Sequence, residues 1–169
     1  MSNLIYDLAI VPLQASLKNL DALIVKAEEH LEGHPDIEAH TLFNARLYPD
    51  MRPLVFQVRV ATDTAKGAAA RLSGQQVPSW PDDEESFEDL HQRVAKAMEY
   101  LAEFQPSDFE GSETRDIELP LRSGTLHFKG KDYIARFVLP NFFFHVTTAY
   151  NILRHNGVVI GKRDYLGNR

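Results

Sequence analysis

The sequence predicts a mainly α protein, a four-helix bundle with a small β-hairpin before the last helix. Three observations predict it. Four segments carry apolar residues at three- and four-residue spacing, the period of an amphipathic helix. Glycine, proline and polar clusters punctuate those segments. One stretch, Ile117 to Phe128, alternates apolar and polar residues instead, around Ser123-Gly124. At 169 residues the chain reads as a single domain, residues 1–169, long enough to bury a real core.

The first helix runs from about Pro12 to Glu32, with Leu13, Leu17, Leu20, Ile24, Ala27 and Leu31 on one stripe. Pro12 either sits in a first turn or kinks a helix that begins near Ser2. Gly33 and Pro35 end it. A linker follows, Asp36–Arg52, with a turn at Leu47–Met51. The second helix spans about Pro53 to Leu72 and lines up Leu54, Val58, Ala61, Ala65, Ala68, Ala69 and Leu72. So many alanines imply close approach by a neighbouring helix. Arg59, Asp63 and Lys66 share the opposite face, where Arg59 and Asp63 read as a surface ion pair. Val55 and Phe56 fall outside the stripe and point to a second contact surface.

Gly74 stops that helix, and the next runs from about Asp83 to Phe104. Its stripe is Phe87, Leu90, Val94, Ala97, Met98, Leu101 and Phe104, and Asp82 with Glu85 has the form of a capping box. In the hairpin, Pro120 places the first strand at an edge. Asp132 caps a short helix that carries Tyr133, Ile134, Phe137 and Val138. Leu139 precedes a proline and is biased toward an extended conformation, whereas Pro140 suits a first helical turn. From Asn141 onward, Phe142, His145, Val146, Ala149, Ile152 and Leu153 share a face, and Asn156-Gly157 stops the helix. In the tail, one reading has Lys162 and Arg163, beside Asp164 and Tyr165, bind an anion near a pocket mouth; the preferred one packs Val158–Ile160 and Tyr165 on the bundle with the charges in water.

Composition narrows the function. A net charge of −6 argues against a general affinity for nucleic acid. The absence of cysteine excludes disulfides, thiolate nucleophiles and cysteine metal ligands, and fits a cytoplasmic location. The first residues lack the pattern of a signal peptide, and no apolar stretch reads as a membrane span. No phosphate-binding loop, dinucleotide fingerprint, zincin motif or hydrolase elbow occurs. The carboxylates fall on predicted solvent faces, so no acid/base pair can be placed.

The histidines are the candidates that remain. His145 sits inside the apolar stripe of the last helix, where a buried imidazole needs hydrogen-bond partners or a metal. It reads first as a satisfied core histidine, and in a sharper reading as a ligand or general base in a pocket between helices. His91 borders the third stripe and reads as half in water. His30, His34 and His40 gather at the end of the first helix. A solvated turn is the better reading there, because metal ligands need fixed geometry and support.

Several runs carry a resemblance: PDMRPLVFQV, ARLSG, VPSWPDDEESFEDL and above all LPNFFFHVTTAYNILRHNGVVIGKRDYLG. Through them, nearly the whole chain resembles the bacterial family called domain of unknown function 1993, a branch of the DinB/YfiT-like superfamily. The resemblance implies an up-down-down-up bundle, usually dimeric, with a cleft between helices. Many relatives hold a divalent metal with three histidines, one from the second helix and two from the last at i,i+4. Some are thought to transfer low-molecular-weight thiols or hydrolyse small substrates. Here His145 matches the inward position on the last helix, but the residue four later is Ala149, and the second helix has no histidine.

The expectation is therefore a cytoplasmic homodimer with no cofactor, binding a small molecule in a cleft lined by His145 with Tyr150 nearby. An alternative is a zinc- or nickel-dependent enzyme with an unusual ligand set, His145 joined by Asp63 or His91. A third is an interaction module that uses Val55 and Phe56.

Overall fold

The four apolar stripes face one another and make the core. The computed structural model describes residues 3–121 and 123–167. In chain order the elements are α1 (Val11–Glu32), α2 (Ala39–Phe43), α3 (Leu54–Ser73), α4 (Phe87–Ala102), β1 (Asp116–Leu121), β2 (Gly124–Lys129), α5 (Gly130–Tyr133), α6 (Leu139–His155) and α7 (Lys162–Leu166). The bundle is the up-down-down-up arrangement of α1, α3, α4 and the α5–α6 rod. Gln57 meets His145, Thr64 meets Asn141 and Arg71 meets Tyr133, so α3 and α6 run antiparallel. Leu13, Leu17, Leu20, Ile24 and Ala27 of α1 are fully buried, as are Leu54, Val58, Ala61, Ala65 and Leu72 of α3. The hairpin is antiparallel, with Ile117 opposite Phe128 and Leu119 opposite Leu126.

Pro12 and Pro140 both lie inside continuous helical runs, which for Pro12 agrees with the alternative of a helix beginning near Ser2 and for Pro140 replaces the expected helix start. Each follows a five-residue π turn, Tyr6–Ile10 before Pro12 and Ile134–Val138 before Pro140. Val11 N–H bonds to the Tyr6 carbonyl, and Leu139 N–H bonds to the Ile134 carbonyl, each five residues back. A proline ring clashes with the carbonyl four residues earlier and removes a donor. A locally widened turn relieves that conflict without ending the helix. Leu139 is accordingly helical (φ −65°, ψ −47°), not extended, and the short helix at Asp132 is the first part of the last rod. The first run starts at Leu4, where Asn3 Oδ1 accepts from the N–H groups of Ile5 (3.0 Å) and Tyr6 (3.2 Å).

Other boundaries also differ from the sequence reading. The linker Asp36–Arg52 contains α2, which buries Leu42 and Phe43. Helix α4 begins at Phe87, and its capping box is Ser86 with Asp89 rather than Asp82 with Glu85. Asp82 and Glu84 are engaged with Arg93 instead. Val55 is buried and Phe56 half-buried, so they are not an exposed contact surface. The tail packs in part as expected, with Val158 and Ile160 buried but Val159 82% exposed.

By length and a mean hydropathy of 1.4, the run Tyr6–Glu32 would pass for a membrane span, which the sequence reading did not anticipate. Its Leu13–Ala27 stripe faces the bundle core. An aromatic chain locks the periphery: Trp80, Tyr100, Phe104, Phe109 and Tyr6 touch in succession at centroid separations of 6.1, 5.2, 5.9 and 5.6 Å.

Candidate functional site

The second turn of α6 carries His145 into contact with the first turn of α3. Pro53 sets an extended approach to α3, and Leu54, Gln57, Val58 and Ala61 then share its inner side. Gln57 is 2% exposed and His145 9%. Gln57 Nε2 donates to the Arg52 carbonyl at 2.8 Å. That bond fixes the amide, because a flipped amide would set two oxygens against each other. Gln57 Oε1 therefore faces His145 Nδ1, at 2.8 Å, and the shared proton sits on Nδ1. Burial pushes the imidazole pKa below its ordinary 6.5. The ring is neutral at pH 7, with its lone pair on Nε2. That nitrogen makes no hydrogen bond among the described residues and is not sealed from solvent. Phe56 and Phe144 stand edge-on to the imidazole, with centroids at 6.2 and 5.2 Å. Arg52 lies over the Phe56 ring, its Cζ 5.3 Å from the centroid.

The other candidates lie in different networks. His91 bridges α4 to α1, with Nδ1 2.6 Å from Asp21 Oδ1 and Nε2 2.8 Å from Glu28 Oε2. Burial lowers its pKa, but the bonds to Asp21 and Glu28 outweigh this and hold it above 6.5. Because opposite ring nitrogens face the two carboxylates, the three side chains cannot surround one ion. Asp63 does not pair with Arg59. It takes Lys66 at 2.7 Å and Arg93 at 3.1 Å, while Arg59 binds Glu84. Tyr150 packs edge-on to Tyr165 at 5.8 Å, on another side of α6. The His30 and His34 rings lie 4.2 Å apart and tilted by 33°, and His34 Nδ1 donates to the His30 carbonyl.

Sequence reasoning missed Gln57 and Arg93. Arg93 is buried in α4. Its Nε donates to Thr62 Oγ1 (2.9 Å) and its Nη1 to the Pro81 carbonyl (2.8 Å) and to Glu84. Burial would raise the Glu84 pKa, yet Arg93 and Arg59 pull it below the usual carboxylate range. Lys66 and Lys96 lie over the Trp80 ring at 4.3 and 4.9 Å. A cleft of 330 Å³ opens beside Trp80, Gln92 and Lys96, another of 400 Å³ lies along the hairpin, and one of 290 Å³ lies between Val11, Ala15, Phe143 and Leu166. His145 lines none of these three.

The family model described as Domain of unknown function (DUF1993) matches residues 5–166. The chain belongs to the DUF1993 family. It is also similar to a solved structure, a DinB family member protein from Shewanella denitrificans, at 42% identity and a TM-score of 0.89. The match covers 96% of this chain and 91% of that one. No curated protein matches.

The resemblance implies a divalent metal, and the residues of this DUF1993 chain do not fit one. The side chain of α3 that meets His145 is an amide, and it occupies Nδ1 while Nε2 points away from it. Asp63 and His91 are held elsewhere, so the alternative ligand set is not brought together. Among the described residues, no group of three His, Cys, Asp or Glu side chains is placed to hold a metal ion.

Proposed function

We propose that this protein is a cytoplasmic homodimer that binds a small molecule at His145, between α3 and α6, without a metal ion. The observation that carries the reading is the Gln57–His145 hydrogen bond, which commits one imidazole nitrogen to the protein and leaves the other without a hydrogen bond among the described residues. Zinc sites in enzymes keep three protein ligands, and a single imidazole nitrogen supplies one. A two-fold contact is supported by exposed Leu4, Leu8 and Val11, one stripe of the first helical run. It continues into the apolar cleft of Val11, Ala15, Phe143 and Leu166.

Thermal unfolding at pH 7.5 with added zinc or nickel tests the metal-free part. The expected result is no rise in Tm that depends on His145. A rise that chelator reverses and His145→Ala abolishes would contradict it.

A further inference from the structure

The chain of bonds from Arg52 through Gln57 to His145 fixes more than the burial of a histidine. It selects a tautomer. Resting on the site proposed above, we infer that Gln57 is a positioning residue that holds His145 as an acceptor at Nε2, and that the site takes a neutral ligand donating an O–H or N–H from an aromatic body.

The donor follows from the lone pair. Nδ1–H is spent on Gln57 Oε1 at 2.8 Å, and Oε1 cannot turn away while Gln57 Nε2 is held by the Arg52 carbonyl at 2.8 Å. Nε2 can only accept. A ligand that can only accept would therefore meet a lone pair with another lone pair. The aromatic body follows from the walls. Phe56 and Phe144 each pack edge-to-face with the imidazole, and Phe144 is 56% exposed. Arg52 is already seated on Phe56. A carboxylate beside His145 would draw a proton onto Nε2 and change the site's charge, whereas a neutral donor leaves the pair as it stands.

Phenol and anisole are the probes, since they differ by the donor. On the ¹⁵N-labelled full chain at pH 7.5, the long-range ¹H–¹⁵N spectrum is expected to show a protonated Nδ1 and a bare Nε2 at His145. Phenol is expected to move the Nε2 resonance and anisole to leave it in place. Gln57→Leu is expected to populate the Nε2–H tautomer and to weaken the phenol response roughly three- to tenfold, the loss of one hydrogen bond. A proton on Nε2 in the wild type overturns the tautomer. An equal response to both probes, or to neither, overturns the ligand class. None of these outcomes depends on metal content, so the failure of this inference and that of the metal-free reading are separable.

Discussion

At His91 two carboxylates of α1 grip both imidazole nitrogens, while at His145 a single neutral amide grips one. The two histidines therefore bind protons oppositely. The folded pKa of His91 is above the ordinary 6.5, so its contribution to stability is full below that value and is lost as pH rises through the folded pKa. The folded pKa of His145 is below 6.5, so its contribution is full above that value and is lost as pH falls, when the unfolded chain takes a proton the folded one refuses. Between about pH 5 and 8, stability is expected to peak near the ordinary histidine pKa. Denaturant melts across that range check it. His91→Gln should flatten the alkaline limb alone and His145→Leu the acid limb alone, and a surviving alkaline limb in His91→Gln would be contrary. His145→Leu also strands Gln57 Oε1, at a cost of ~1–3 kcal/mol. Arg93→Met leaves Glu84 buried with Arg59 as its remaining basic partner, and a urea melt should show a loss of about 3–5 kcal/mol. Both missed residues had a faint signal. Gln57 stands at stripe spacing between Leu54 and Ala61, and Arg93 between Leu90 and Ala97. A polar residue on an apolar stripe reads as a break in the pattern until its partner is known, and those partners lie 88 and 31 residues away.

The elements show where local reading reaches its limit. The stripes were legible because helical period is local, and Leu13–Ala27 and Phe142–Leu153 are buried as their spacing requires. The π turns before Pro12 and Pro140 were not. A proline stops or starts a helix by its own geometry, and only packing on both sides forces the chain to continue through it. The start of α4 was misplaced for a similar reason, since Arg93 holds Asp82 away from the helix it would have capped. The start of α5 makes a sharper test. A Cβ on Gly130 would sit 1.8 Å from the Ser112 carbonyl oxygen, a backbone atom that cannot swing aside. Gly130→Ala should cost about 1–3 kcal/mol in a denaturant melt. Gly33→Ala is the matched control, because Gly33 has negative φ and a Cβ there meets nothing closer than 3.6 Å. It should be neutral or stabilising by up to ~1 kcal/mol.

For the whole molecule, family and bundle were legible because specific runs such as Leu139–Gly167 span the last rod and its tail. A helical wheel shows that Val55 and Phe56 leave the main stripe but not that Val55 is buried and Phe56 half-buried, so the contact surface expected there is not exposed. We propose the exposed stripe of Leu4, Leu8 and Val11 as the interface instead. Leu8→Glu should convert the expected dimer to a monomer in light scattering without changing the helical signal. A dimer that persists would place the two-fold contact on another face.

We propose that His145 serves this protein without a metal. The most direct test is elemental analysis of tag-free protein purified without chelator, wild type beside His145→Ala. The same metal content is expected in both, with any ion held by His30 and His34 retained in the variant. About one zinc or nickel per chain in the wild type, absent from His145→Ala, would contradict it.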